Sequence, residues 1–272
     1  MRSHAELVAS APFAGSRSRA WRVSWARAPA PLAFRETPEA VYIVGTAASP
    51  VGDDEVRLSV RVEPGARLVV RSAASSIAWA SQGSSLEVTV EVADGACLDW
   101  QLQPLVATSR CDFFQHSHIE LAPGATLRWA EELVLGRNKE GPGRLRVRLD
   151  ADVEGYPLLR HELAVGPGVP GWDGPAMLGY HRAVGLVLLA GPHLGQSSSG
   201  TPAAPAEQAA SGTGQAWARM PLEGPAVLVQ ALGRDLPALR EELRKAGGSF
   251  TLPTRNVCGT PRVNRPYAHR NS

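Results

Sequence analysis

Cysteines are few in this chain of 272 residues, and long apolar runs are absent. The three cysteines, Cys97, Cys111 and Cys258, are odd in number and lack CxxC spacing, which argues against a disulfide framework and a structural zinc site. The apolar run at 184–190 is too short to span a bilayer, and the broken run at 7–13 is not typical of a cleaved signal. We therefore expect a soluble, cytoplasmic protein.

The chain also lacks an excess of charge of one sign and lacks familiar catalytic signatures. Its 28 Lys and Arg residues nearly balance 26 Asp and Glu residues, for a net charge of +2. Proteins that bind nucleic acid or anionic membranes are usually much more basic. No nucleophile elbow, phosphate-binding loop, dinucleotide fingerprint or HExxH helix occurs. The sequence therefore offers no familiar catalytic signature, and its charge shows no bias towards nucleic acid or membrane.

A repeated pattern occupies the middle of the chain, at residues 60–68, 90–98 and 119–127. In each copy, alternating apolar residues flank a Pro-Gly or Asp-Gly pair, and the glycines lie 30 and 29 residues apart. Alternation indicates half-buried strands, and these dipeptides favour turns. Units of this length bury a core by stacking on one another. The pattern leaves open whether each turn is a hairpin in one sheet or an arch between two sheets.

We predict a mainly β fold in which stacked, repeated units over residues 56–163 form a large two-layer or solenoid-like domain. The sequence leaves open a fourth, decayed copy around Gly155, which lies 31 residues after Gly124, although Asp150 and Asp152 stand where apolar residues are expected. A single domain is expected to cover residues 1–254.

Three further segments follow the repeat block. Residues 195–214 consist mostly of Ser, Gly, Ala and Pro, which predicts a flexible insertion. Residues 235–246 have an acidic start, periodic leucines and a following glycine, which predict a helix. Residues 255–272 are basic and contain prolines, and we expect them to form an extended tail.

Cys111, His116 and His118 are the first candidates for metal ligands. Two histidines that are two residues apart on a strand point to the same face, and a nearby thiolate could complete a soft metal site. The alternative is that these are ordinary, partly exposed strand residues.

Glu131 is a second candidate, because Leu133, Val134 and Leu135 follow it closely. A carboxylate at the edge of a core needs a partner such as Arg137, or a cation. Two interpretations remain open: a salt bridge at the rim, or a carboxylate that lines a polar passage.

Several short segments together resemble the UreD family of urease accessory proteins, called UreH in some systems. The resemblance rests on a Val-Gly-Asp-Asp-Glu loop, a Pro-Gly-Ala turn, a run of small residues, a Leu-Gln-Pro segment and a stretch that begins with Glu131; they lie at 51–55, 64–66, 72–76, 102–104 and 131–137. The glycines that the family usually places before the loop aspartate are mostly missing here. The resemblance therefore does not decide between Asp53 and Asp54.

The resemblance implies a non-catalytic scaffold in urease maturation. Such a scaffold binds the urease apoprotein, recruits a helical adaptor (UreF) and a GTPase (UreG), and assists nickel delivery. A polar internal passage is proposed for the family, and by motif position Asp54 and Glu131 would contact nickel transiently, with Ser75 and Asp53 also on its lining. No permanently bound cofactor is implied.

The competing hypothesis is a stacked-β carbohydrate-binding module or a carbohydrate-active enzyme. Either would need exposed aromatic residues or paired carboxylates on one face of the stack. Trp79, Trp100 and Trp129 could supply the aromatic rings, but Trp100 and Trp129 share the inward register of the repeat leucines. We therefore predict that these two tryptophans belong to the core.

Overall fold

Two β-sheets face each other across a shared apolar core in the computed structural model, which describes residues 1–12, 22–195, 210–211 and 216–247. The predicted tail at 255–272 and most of the predicted insertion at 195–214 lie outside the described residues. In chain order the strands are β1 (Arg2–Ser10), β2 (Arg22–Arg27), β3 (Leu32–Glu36), β4 (Val41–Gly45), β5 (Glu55–Val62), β6 (Arg67–Ser72), β7 (Ser76–Ala78), β8 (Ser84–Val92), β9 (Cys97–Gln101), β10 (Leu105–Ala107), β11 (Asp112–Leu121), β12 (Thr126–Leu135), β13 (Arg144–Val153), β14 (Tyr156–Val165), β15 (Ala183–Ala190), β16 (Ala210–Ser211), β17 (Trp217–Pro221) and β18 (Ala226–Gly233).

Parallel strands form the centre of both sheets. The first sheet has the order β14-β13-β11-β8-β5-β1-β2, and its neighbours from β13 to β1 are parallel. The second sheet has the order β16-β17-β18-β15-β12-β9-β6-β4-β3, and β12, β9, β6 and β4 run parallel in it. The short strands β7 and β10 extend the second sheet beside β12. This arrangement confirms the prediction of a mainly β, solenoid-like stack.

The three repeated turns are arches that carry the chain from the first sheet to the second. They join β5 to β6, β8 to β9 and β11 to β12. In each turn the amide of the alanine after the glycine donates to the carbonyl three residues earlier, at 2.9–3.0 Å. Gly65 and Gly95 have φ angles of 69° and 65°, the left-handed region that glycine tolerates best. Each unit therefore adds one strand to each sheet.

The fourth copy, around Gly155, is a hairpin and not another unit of the stack. β13 and β14 are antiparallel neighbours within the first sheet. Gly155 comes two residues after Val153, the last apolar residue of its strand. In the three repeats the glycine comes three residues after the last apolar residue of the strand. This one-residue difference turns Asp150 and Asp152 to the outer face of the sheet and leaves Ala151 and Val153 facing the core.

The core consists of equivalent repeat positions stacked in register. Val60 pairs with Val90, and Val90 with Ile119, so like side chains fill one inward row of the first sheet. In the second sheet Trp100 pairs with Trp129, and their rings stack with centroids 4.6 Å apart and planes 7° apart. Both tryptophans are almost fully buried, as predicted.

The helix α1 (Leu236–Lys245) covers the outer face of the second sheet near the end of the chain. Its N-cap is Asp235, whose side chain accepts a hydrogen bond from the Ala238 amide at 2.8 Å. Leu239 and Leu243 face β15 and β18 and are fully buried. No helix within the described ranges is long and apolar enough to cross a membrane.

Candidate functional site: a cavity with a carboxyl group in its wall

A cavity of about 390 Å³ lies between the two sheets beside the repeat block. Exposed residues of the loops 45–50 and 72–77 form its rim, and inward side chains of both sheets form its wall. The wall is mostly apolar, and its apolar residues include Ile43, Val56, Leu58, Leu86, Val88, Trp100, Leu105, Phe113, Trp129 and Leu133. Gln115 and Glu131 are among the polar residues of this lining, together with Ser72, Ser85, Gln103 and Glu132.

Glu131 lies on β12 in an inward row, and its neighbour in the antiparallel strand β15 is the apolar Leu186. Its Oε1 accepts hydrogen bonds from Trp129 Nε1 at 3.0 Å, Gln115 Nε2 at 3.1 Å and Ser117 Oγ at 3.4 Å. All three donors are neutral. The alternative of a rim salt bridge with Arg137 is wrong, because Arg137 pairs with Glu140 instead.

Burial controls the protonation of Glu131. It raises the pKa of this carboxyl from 4.5 to about 7, although the hydrogen bonds from Trp129, Ser117 and Gln115 act in the opposite direction. Near neutral pH the group therefore exchanges a proton readily. A cation that entered the cavity would favour the carboxylate form and displace this proton.

Replacement of the Glu131 carboxyl should change how stability depends on pH. The pKa of Glu131 is about 7 in the folded state and about 4.5 in the unfolded state. Between these pH values the folded state binds the proton more strongly, so stability falls as pH rises through this window. We expect Glu131→Gln to be more stable than the unchanged protein at pH 8, by on the order of 2 kcal/mol after allowance for water in the cavity. The difference should shrink towards pH 5. Urea unfolding at both pH values measures it, and equal differences at pH 5 and pH 8 would contradict the raised pKa.

The other predicted passage residues occupy three different environments. Ser75 lies on the cavity rim. The Asp53 side chain is 96% exposed and points into solvent. Asp54 is buried but does not line the cavity; it accepts hydrogen bonds from the Met1 amino group at 2.9 Å and from the Val51 amide at 3.1 Å. The structure therefore brings Ser75 and Glu131 to one cavity and places Asp54 behind its rim.

Asp54 holds the rim loop against the stack. Its backbone carbonyl accepts from the Ser85 amide at 2.7 Å, and its side chain closes the loop on Val51. Burial alone would raise the pKa of Asp54, but the hydrogen bonds from the Met1 amino group and the Val51 amide outweigh this and lower it. Asp54 thus stays charged at neutral pH and stabilises the loop.

The combination of Cys111, His116 and His118 does not form a site. Cys111 is buried in the core between the sheets, where burial raises the pKa of its thiol to about 11. His116 and His118 lie on the opposite, outer face of β11, at 2.9 Å from Asp150 Oδ2 and 3.7 Å from Asp152 Oδ2. The prediction that the two histidines share one face of the strand is confirmed. The prediction that the Cys111 thiol lies beside them is wrong.

Sequence reasoning also missed the polar partners of Glu131. Gln115 and Ser117 occupy inward positions of β11 between Phe113 and Ile119, where the alternation calls for apolar residues. Two polar residues in an inward row are the available signal, because a buried polar group needs a hydrogen-bonding partner.

A second internal polar pair lies farther along the same rows of side chains. In the first sheet Ser117 pairs with Leu149 and Leu149 with His161, and in the second sheet Glu131 pairs with Leu186 and Leu186 with Gln230. The Gln230 Nε2 and His161 Nε2 atoms lie 2.6 Å apart. Two leucines thus separate the Glu131 cluster from this pair.

Comparisons with known proteins give one consistent result. A family model described as "UreD urease accessory protein" matches residues 3–263. Urease accessory protein UreD 3 of Streptomyces griseus is 40% identical over 228 residues, which cover 79% of this chain and 85% of that protein. Urease accessory protein UreD of Streptomyces avermitilis is 39% identical (81% and 87% covered), and that of Frankia casuarinae is 36% identical (78% and 72% covered).

Proposed function

Because the chain belongs to the UreD family of urease accessory proteins, we propose that it acts in urease maturation as a non-catalytic scaffold that assists nickel delivery to the urease active site. The observation that carries the nickel role is the internal cavity with the Glu131 carboxyl in its wall. In this proposal nickel is the cargo of the protein and not its resident cofactor.

The donors around the cavity suit brief contact with a divalent cation better than storage. They include the Glu131 carboxylate, the Gln115 amide and the hydroxyl of Ser75 at the rim, and much of the remaining wall is apolar. Oxygen donors hold a borderline cation such as Ni²⁺ more loosely than imidazole or thiolate does. An ion could therefore enter at the rim, displace the proton of Glu131 and leave again, because these donors do not bind it tightly.

The scaffold role concerns three protein partners, namely the urease apoprotein, the helical adaptor UreF and the GTPase UreG. Support for these partners comes from family membership alone. The test is co-expression of the chain with urease subunits and the adaptor, followed by affinity purification. Failure of the chain to co-purify with either partner would overturn the scaffold role.

The carbohydrate-binding hypothesis is less well supported. Trp100 and Trp129 are buried and stacked on each other, so neither ring is available to a sugar. Of the three tryptophans considered, Trp79 is exposed, at 39%, and the Arg137 guanidinium lies over its ring. One such ring at the cavity rim is not a sugar-binding platform.

Glu131→Gln tests the passage separately from assembly. We expect this variant to form the same complexes but to reduce the nickel content of co-expressed urease severalfold, because the amide keeps the hydrogen bonds and loses the charge. Metal analysis of purified urease and its specific activity measure this effect.

Asp53→Asn is the matched control for this experiment. It removes the Asp53 carboxylate, which the family resemblance also places on the passage lining. Because this side chain points into solvent, we expect normal nickel loading. Normal loading with Glu131→Gln, or an equal loss with Asp53→Asn, would remove Glu131 from the delivery route. Loss of co-purification would instead challenge the scaffold role.

A further inference from the structure

A second group of metal-binding side chains lies on the outer face of the first sheet, away from the cavity. His118 and Glu120 are two residues apart on β11, and Asp152 is the partner of Glu120 in the parallel strand β13. One ligand atom from each of these three residues lies within 4.8 Å of the others. The strand alternation directs Ser117 towards Glu131 inside the stack and turns His118 outwards.

Neighbouring residues hold these side chains in place. One oxygen of Asp152, Oδ1, accepts a hydrogen bond from Arg160 Nη2 at 2.5 Å, while its second oxygen, Oδ2, lies 3.7 Å from His118 Nδ1. Glu120 Oε1 accepts from the Gly155 amide at 2.8 Å, a contact that the β13–β14 hairpin provides. Outer contacts of this kind orient carboxylate ligands in metal sites.

From this geometry we propose that His118, Glu120 and Asp152 bind one divalent transition-metal ion. One imidazole nitrogen and two carboxylate oxygens match the preference of Zn²⁺, Ni²⁺ and Co²⁺. The His118 side chain is 43% exposed, so water can reach the ion and complete its coordination. Small rotations of the His118 and Glu120 side chains bring the ligand atoms together. Asp152 can bind through Oδ2 while Oδ1 keeps its hydrogen bond to Arg160.

The neighbouring histidine is not part of the proposed site. His116 Nε2 lies 2.9 Å from Asp150 Oδ2, but both oxygens of Asp150 accept hydrogen bonds from Arg148 Nε, at 3.1 and 2.9 Å. A metal at Asp150 would have to displace this guanidinium from both oxygens. His116 therefore offers a matched control on the same strand and the same face.

The site differs from the proposed nickel passage in position and ligands. It requires neither the cavity nor Glu131, and its imidazole nitrogen would hold a borderline metal more firmly than oxygen donors alone. Binding here would therefore persist when the passage is disabled.

The experiment is a titration of the full-length chain with Zn²⁺, and separately with Ni²⁺, by calorimetry in the Glu131→Gln background. This background removes the contribution of the cavity carboxyl. We expect one site whose affinity falls at least about tenfold with His118→Ala and with Glu120→Gln, since even the loss of an outer contact commonly costs that much. His116→Ala should leave the affinity within about twofold.

Two outcomes would overturn the proposal. They are an absence of binding in the Glu131→Gln background, and equal affinities of the His118→Ala and His116→Ala proteins. Co²⁺ absorption spectra give an independent readout, because loss of a nitrogen ligand shifts the visible bands. Thermal unfolding of each variant, compared with its background, shows whether a weaker affinity reflects a lost ligand or a lost fold.

Discussion

Replacement of Trp129 by alanine is expected to lower the free energy of unfolding by about 3–5 kcal/mol. The side chain is 1% exposed, and its ring stacks on Trp100 with centroids 4.6 Å apart, so truncation leaves a hole in the middle of the stack. The substitution also removes the indole N–H that donates to Glu131 at 3.0 Å. Urea unfolding followed by circular dichroism measures the loss.

Trp25→Ala provides the control for this prediction. Trp25 lies on the edge strand β2 and is 55% exposed, so its removal opens no internal cavity. We expect a change below about 1 kcal/mol. Similar losses from the two substitutions would show that the stacked pair is not the central packing element.

Arg240→Ala is expected to cost about 2–3 kcal/mol, somewhat less than the ~3–5 kcal/mol typical when a fully buried ion pair is broken. Arg240 on α1 donates to both oxygens of Glu132 at 2.8 and 2.7 Å, and the Glu132 side chain is only 1% exposed. Without the guanidinium, a buried carboxylate stands on the outer face of the second sheet without its charged partner. The discount reflects the 45% exposure of Arg240, because its removal admits water.

The control and the rescue are both available nearby. Arg244 on the same helix pairs with Glu241 at the surface, and Arg244→Ala should leave stability unchanged within error. The double variant Glu132→Leu with Arg240→Leu should recover most of the loss, because no buried charge then lacks a partner. Equal costs for Arg240→Ala and Arg244→Ala would show that burial of Glu132 is not the cause.

Much of the local structure could be predicted because its causes are local. The alternation around the three repeated turns predicted β5, β6, β8, β9, β11 and β12. The acidic start and the leucine spacing at 235–246 predicted a helix, and α1 spans Leu236–Lys245. The inward register of the tryptophans followed from the same period-two pattern. In each case the information lies within a few residues of the element itself.

The candidate site was predicted less completely, because its members come from strands that are distant in sequence. A motif resemblance pointed to Glu131, but its donors Gln115 and Ser117 come from β11, in the opposite sheet. The same resemblance offered Asp53 as well as Asp54, and the structure places Asp53 in solvent and Asp54 behind the cavity rim. Motif position alone carries no information on which side of a loop faces a cavity.

The amino-acid sequence by itself determined the repeated strand-turn-strand units, the family of the chain and the identity of its unusual inward carboxylate. Only the tertiary structure decided that the repeated turns are arches, that the shorter turn at Gly155 is a hairpin, and that His118 meets Asp152 and not Cys111. The physical reason is that alternation assigns a side chain to one face of its own strand. Parallel pairing between units about 30 residues apart decides which side chains share that face and which sheet covers it.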